Sequence, residues 1–107
     1  MTVYKGKPAV FLDRDGTINI EKSYVHHIDE WEWIVGSIEA IRTLNENGFL
    51  VIVVSNQAGI ARGRYTEADV HLLHSQIVEV LEGKNASIDE FYFCPHHPDY
   101  GRQLKCV

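Results

Sequence analysis

Two continuous apolar segments stand out in the pattern of hydrophobic and polar residues along the chain. Residues 9–12 (AVFL) and 49–54 (FLVIVV) show no alternation with polar residues, which is typical of parallel strands that are covered on both faces. Residues 88–93 indicate a third strand. Between the strands, apolar residues recur every three or four positions and predict helices near 37–47 and 67–82. The order of elements predicts an α/β fold, in which right-handed crossovers make the strands parallel.

The ends of the predicted helices carry recognisable signals. Gly48 is a helix stop after the first helix, and Thr66 with Asp69 forms an N-cap with an acidic third position before the second. Residues 14–35 are polar with several aromatics and predict an irregular stretch. Residues 56–65 predict a glycine-containing loop.

Three polar clusters follow the three predicted strands. Asp13 and Asp15 follow the first, residues 55–57 (SNQ) the second, and residues 94–97 (CPHH) the third. Because ligands bind beyond the carboxyl ends of parallel strands, the clusters are predicted to form one site. The alternative is local: Asp13 ends a strand, and Asp15 with Gly16 forms a turn.

The spacing of the two aspartates suits phosphoryl transfer. Two carboxylates this close repel each other, so the arrangement costs stability unless the chemistry uses it. One can attack phosphorus to form an aspartyl-phosphate, and the other can protonate the leaving oxygen and then deprotonate water. Gly16 allows a tight turn near a ligand, and Ser55 can donate to a phosphoryl oxygen. The anionic phosphate also requires charge neutralisation, most simply by Mg²⁺.

Composition narrows the class of protein. The chain has 107 residues, 45% hydrophobic and 23% charged, which fits a single domain over residues 1–107. Its net charge of -5 argues against a nucleic-acid partner. No apolar run suits a membrane span and the N-terminus has no signal-peptide core, so we expect a cytoplasmic protein without a membrane partner. The two cysteines then indicate metal binding or free thiols.

Three motifs resemble the haloacid dehalogenase (HAD) superfamily, in the family's order and over nearly the whole chain. DRDGT resembles its first motif and VVVSNQAGIARG its second. CPHHPD with a later Cys resembles the zinc loop of the branch that contains histidinol-phosphate phosphatase and D-glycero-D-manno-heptose 1,7-bisphosphate phosphatase. GIARGRYTEAD and NIEKSYVHHIDEWEWI are closer to the heptose enzymes.

The resemblance implies a fold and an activity. The fold is a HAD-like Rossmannoid parallel sheet flanked by helices. The implied activity is that of a Mg²⁺-dependent phosphatase, which removes the 7-phosphate of heptose 1,7-bisphosphate in ADP/GDP-heptose synthesis for lipopolysaccharide. Histidinol-phosphate phosphatase is the enzymatic alternative.

The resemblance also implies roles for particular residues. Asp13 would be the nucleophile and Asp15 the general acid/base, with Mg²⁺ held by the Asp13 carboxylate and the Asp15 backbone carbonyl. The implied substrate-contacting residues are Glu21, Lys22, Ser23, Tyr24, Ser55, Asn56, Gln57 and Ala58. Asn56 can alternatively be a turn former, and Arg62 is open between pairing with a phosphate and a solvated loop charge.

The third cluster predicts a second metal site. Cys94, His96 and Cys106 have a spacing that suits Zn²⁺, which the resemblance implies to be structural. A fourth ligand, a Cys in the family, would fall one position past Val107. Two buried thiols and a surface histidine pair are the alternative.

Three aromatic residues and two histidines are expected to have structural roles rather than to bind a ligand or a metal. We expect Tyr24, Trp31 and Trp33 to pack the irregular stretch rather than to line a site. We expect His71 and His74 to lie on the solvated face of the second helix, because no third metal ligand accompanies them.

The sequence ends inside the predicted metal loop, before the basic and acidic motifs that continue the family pattern. We therefore expect the N-terminal part of the full fold, incomplete at the C-terminus. A catalytically inactive fragment with a metal-binding or association role is the alternative of another class. The full-length family is expected to be monomeric with a phosphorylated sugar as partner. This chain is expected to self-associate through the edge that a three-stranded sheet leaves uncovered.

Overall fold

The computed structural model describes residues 6–22 and 24–94, which form a three-stranded parallel sheet with helices packed on it. The strands are β1 (Ala9–Asp13), β2 (Leu50–Asn56) and β3 (Glu90–Cys94). Helix α1 (Ser37–Glu46) connects β1 to β2, and α2 (Ala58–Ala61) with α3 (Glu67–Glu82) connects β2 to β3. The predicted α/β class and parallel sheet are confirmed.

The strand order β1-β2-β3 brings the three strand ends to one edge of the sheet. Asp13 pairs with Val54 in the β1–β2 register, and Ser55 pairs with Phe93 in the β2–β3 register. The ends of β1 and β2 that carry the first two polar clusters therefore lie side by side, as predicted for one site.

The main core cluster lies on one face of the sheet. Val51 and Val53 are fully buried there against apolar residues of α1 and α3, among them Ile41, Leu73 and Ile77. Two right-handed crossovers in the same direction place both connecting helices on the same face. The chain thus builds its apolar core from strands whose second half is β-branched and two amphipathic helices.

The opposite face carries exposed apolar side chains. Phe11, Val54 and Tyr92 are 61%, 39% and 41% exposed, respectively. Val54 and Tyr92 are register partners on adjacent strands. The continuous apolar runs predicted coverage of both faces, and this part of the prediction is wrong for Phe11 and Val54.

The helix termini follow the sequence signals. The Thr66 hydroxyl accepts from the Asp69 backbone N–H at 3.2 Å, and the Asp69 carboxylate accepts from the Thr66 N–H at 2.9 Å. That hydrogen bond to the Thr66 N–H holds the pKa of Asp69 below its usual value. Gly48 has a left-handed backbone with φ 81° just after α1, which glycine adopts without strain.

The two irregular stretches contain short ordered elements. Residues 56–65, predicted as a loop, include the one-turn helix α2. Residues 14–35 include a 3₁₀ turn at Ile28–Glu30 and a bridge between Asn19 and Trp33. In the described part of the chain, no helix combines the length and the apolar composition that crossing a bilayer requires.

Candidate active site

The turn after β1 separates the two aspartates. The Arg14 N–H donates to the Val54 carbonyl at 3.1 Å, which extends the ladder one residue past the strand. The chain then turns at Gly16, whose φ of 88° lies in the left-handed region and favours glycine. Asp13 is left exposed at the strand end, whereas the Asp15 side chain is 24% exposed and directed into the site.

The Asp15 carboxylate is held by donors from four side chains. Its Oδ1 atom accepts from Arg14 Nη2 at 2.9 Å and from Asn19 Nδ2 at 3.0 Å. Its Oδ2 atom accepts from Ser55 Oγ at 3.3 Å and from Gln57 Nε2 at 3.4 Å. The positive Arg14 guanidinium offsets the repulsion that two neighbouring carboxylates produce. Asp15 is therefore an ordered member of a network rather than only a turn residue.

A second layer of contacts fixes Gln57. Its amide donates to Ser55 Oγ, and its carbonyl oxygen accepts from the Tyr65 hydroxyl. Burial raises the pKa of Tyr65, which keeps its hydroxyl protonated as a donor. Gly59 lies against the Tyr65 ring, where a Cβ would stand 2.2 Å from a ring carbon. Position 59 in α2 therefore needs glycine, because any larger side chain would collide with the Tyr65 ring.

Two adjoining cavities lie at this edge of the sheet. One of about 290 Å³ is lined by the predicted residues Glu21, Lys22, Tyr24, Asn56 and Gln57, together with Arg14 and Asp15. The other, of about 230 Å³, is lined by Asp13, Asp15, Glu21, Ser55 and Asn56. The structure thus brings most of the predicted site residues to the two aspartates.

Tyr24 lies at the candidate site, where the resemblance places a substrate-contacting residue, and does not only pack the irregular stretch. It lines the larger cavity, and its hydroxyl accepts from Arg62 Nη1. The Arg64 guanidinium lies 5.0 Å from the centroid of the Tyr24 ring, within the range of a cation–π contact. Sequence reasoning missed Arg64, although it lies two positions after Arg62 in the same loop.

Trp31 and Trp33 pack as predicted. Their ring centroids are 5.2 Å apart at 82°, and both contact the core cluster. This edge-to-face arrangement is a favourable one for aromatic pairs.

His74 corrects a second prediction. His71 is exposed as expected, but His74 is 5% exposed and lies with Nε2 3.1 Å from Arg14 Nη1. Burial, followed by the nearby positive Arg14, lowers the pKa of His74 to about 3. The buried face of α3 therefore includes His74 in addition to the aliphatic residues from which that face was predicted.

Some predicted residues cannot be placed. Ser23, His96 and Cys106 lie outside the described residues, as do the side chains of Ala58 and Cys94. Within the described ranges, no three His, Cys, Asp or Glu side chains cluster as metal ligands. The Zn²⁺ site stays a prediction.

Comparison with known families and proteins gives consistent matches. The family described as polynucleotide kinase 3 phosphatase matches residues 8–102. The D-glycero-beta-D-manno-heptose-1,7-bisphosphate 7-phosphatase of Escherichia coli (strain K12) is 50% identical over 94 residues, covering 88% of this chain and 49% of the relative. The Yersinia pestis protein of the same name is 49% identical over 92 residues, covering 86% and 49%. The chain spans about half the length of the curated relatives it matches.

Two solved structures share the fold. The D,D-heptose 1.7-bisphosphate phosphatase from B. bronchiseptica, complexed with magnesium and phosphate, aligns with a TM-score of 0.82 at 33% identity, over 89% of this chain and 54% of that one. The D,D-heptose 1,7-bisphosphate phosphatase from Burkholderia thailandensis aligns with a TM-score of 0.65 at 39% identity, over 82% and 53%.

Proposed function

The chain belongs to the polynucleotide kinase 3 phosphatase family, of HAD type, and we propose that the protein is a Mg²⁺-dependent phosphatase that removes the 7-phosphate of D-glycero-D-manno-heptose 1,7-bisphosphate. The substrate is proposed from one observation: about half of the aligned residues are identical to those of phosphatases named for that reaction. The placement of Asp13 and Asp15 at one cavity edge supports the chemistry.

The two aspartates have different surroundings, and this supports different roles. Asp13 is exposed at the end of β1, so its carboxylate oxygen is accessible to attack phosphorus and displace the sugar alkoxide. Asp15 gives a proton to that alkoxide as it leaves. Asp15 then takes a proton from the water that attacks the aspartyl-phosphate, which releases phosphate and restores Asp13. The Arg14, Asn19 and Gln57 donors keep Asp15 in the orientation that both transfers need.

The residues at the cavity fit Mg²⁺. The ion takes oxygen ligands and retains several waters, and the Asp13 carboxylate and Asp15 backbone carbonyl are such ligands. When bound, Mg²⁺ neutralises negative charge between the carboxylate and the phosphate. A structural Zn²⁺ at Cys94, His96 and Cys106, a cytoplasmic location and a role in lipopolysaccharide synthesis stay predictions.

Basic side chains at the rim support a substrate with more than one phosphate. Lys22 lines the larger cavity, and Arg62 and Arg64 both lie beside Tyr24. We propose that the Lys22 ammonium and the two guanidinium groups hold the part of the sugar bisphosphate that does not react, because both kinds of cation bind phosphate.

The test is phosphate release by the 107-residue chain with and without Mg²⁺. Heptose 1,7-bisphosphate and histidinol phosphate are compared as substrates, and Asp13→Asn is compared with Asp29→Asn. Asp29 is an exposed carboxylate in the 3₁₀ turn and is the matched control. We expect Mg²⁺-dependent release from the heptose substrate that Asp13→Asn abolishes and Asp29→Asn retains. Preference for histidinol phosphate would overturn the substrate, and absence of release would support the inactive-fragment alternative.

A further inference from the structure

Arg14 lies between the two aspartates and is buried. It is 1% exposed, which is rare for a charged side chain. Its Nη2 atom donates to Asp15 Oδ1 and to the Val25 carbonyl, both at 2.9 Å. Its Nη1 atom lies 3.1 Å from His74 Nε2, and its guanidinium lies 5.6 Å from the Trp31 ring centroid. The hydrogen bond to Asp15 gives one side of the guanidinium a role, but its buried contact with His74 is not explained by that role.

The direction of the Arg14–His74 hydrogen bond follows from chemistry. A guanidinium has five N–H donors and no acceptor, and it stays protonated in proteins. His74 Nε2 must therefore accept, and the proton of the neutral ring lies on Nδ1.

Two phenylalanines of β3 fix the plane of the His74 ring. Phe91 stacks on it with centroids 4.1 Å apart at 15°, and Phe93 approaches edge-on at 6.2 Å and 71°. These contacts tie the orientation of the imidazole to the sheet. The imidazole in turn is tied to the guanidinium that holds Asp15.

We propose that Arg14 and His74 are positioning residues for Asp15, with neutral Nδ1-protonated His74 accepting from Arg14 and thereby fixing the guanidinium against the Asp15 carboxylate. The consequence for catalysis rests on the proposed function, because Asp15 makes the two proton transfers there. Small displacements of a reacting group cost large factors in rate. An apolar residue in place of His74 would fill the same space against Phe91 but leave a buried guanidinium N–H without an acceptor.

Nitrogen-15 NMR of the histidine rings tests the first half of the proposal in the 107-residue chain. Near neutral pH we expect His74 to show a protonated Nδ1 and an unprotonated Nε2. A protonated Nε2, in the other tautomer or in an imidazolium, would overturn the proposal. This result does not depend on whether the chain is an active phosphatase, so the two proposals fail separately.

Kinetics of Mg²⁺-dependent phosphate release test the second half. His74→Gln keeps an acceptor for Arg14 in its side-chain carbonyl, His74→Leu does not, and His71→Leu is the control at the exposed position one turn earlier on α3. We expect His74→Leu to lower kcat by about tenfold to a hundredfold with little change in KM, His74→Gln to restore most of the loss, and His71→Leu to match the parent.

A merely structural role gives a different pattern. Both His74 variants would then lose stability, while kcat of the folded fraction would match the parent, and this result would overturn the proposal. If His74→Leu does not fold, the tautomer of the parent and the kcat of His74→Gln decide. An Nδ1-protonated ring in the parent supports the proposal, whereas an Nε2-protonated ring, or a loss of kcat in His74→Gln as large as in Asp15→Asn, refutes it.

Discussion

Burial of neutral His74 makes the stability of the fold depend on pH. Its pKa is about 3 in the folded chain and has the ordinary value of 6.5 when exposed. Above 6.5 the ring is neutral in both states and has no effect. As pH falls below 6.5, the unfolded chain takes up a proton that the folded chain does not. The free energy of unfolding therefore falls with pH until the folded pKa is reached.

The size of the effect follows from the size of the shift. Each pH unit below 6.5 costs about 1.4 kcal/mol, so lowering the pH to about 4.5 removes about 3 kcal/mol of stability through this one group. The groups that face the ring are Arg14 and Asp15 from the turn after β1 and His71 from α3 itself. Since His74 is 5% exposed, solvent screening reduces the effect little.

Urea unfolding followed by tryptophan fluorescence measures this effect, because Trp31 and Trp33 contact the core. We compare the parent with His74→Gln between about pH 7 and pH 4.5. The stability advantage of the parent should shrink by about 3 kcal/mol over that range, a midpoint change of roughly 1–3 M urea. His71→Gln serves as the control for removing a histidine from α3. A constant difference between parent and His74→Gln across the range would refute the reasoning.

Three further predictions concern the fold and its surface. Thr66→Ala removes the cap of α3 and should lower the free energy of unfolding by about 1 kcal/mol in urea titrations; an unchanged midpoint would contradict the role of the cap. Ile77→Ala, at a fully buried position, should cost about 2–5 kcal/mol, whereas Leu72→Ala, at a position 58% exposed, should cost less than about 0.5 kcal/mol; equal losses would contradict the assigned core. The chain should elute from a sizing column as a concentration-dependent oligomer, and Phe11→Lys on β1 should favour the monomer; a monomeric parent at all concentrations would contradict association through that strand.

The strands and helices could be predicted because each signal is local. The apolar run of β2 and the stripe of α3 give their elements within a few residues of the observed ends. The position at which β3 begins depends on a contact with another strand. Strand pairing begins at Glu90, two residues after the predicted start, since the Asp89 carboxylate takes the Val51 N–H at 2.7 Å.

The interior of the site depends on contacts that sequence reasoning cannot supply. Arg14 and His74 are 60 positions apart; Arg is a residue type that usually lies at the surface, and His is intermediate, so neither is expected to be buried from its type alone. Their burial becomes understandable once the turn after β1 and helix α3 are in contact. Gln57 shows the same limit, since its motif predicts a ligand contact but not its hydrogen bonds to Asp15 and Tyr65.

The most direct test of the central claim is mass spectrometry of the peptide that contains residues 13 and 15 after incubation with heptose 1,7-bisphosphate and Mg²⁺. Asp15→Asn lacks both the acid that protonates the leaving alkoxide and the base that activates water, so the aspartyl-phosphate should form slowly and then persist over a long incubation. The account predicts one added phosphoryl group on Asp13 in Asp15→Asn and none in Asp13→Asn. A phosphoryl group on any residue other than Asp13, or a phosphoryl group that is still found in Asp13→Asn, would contradict it.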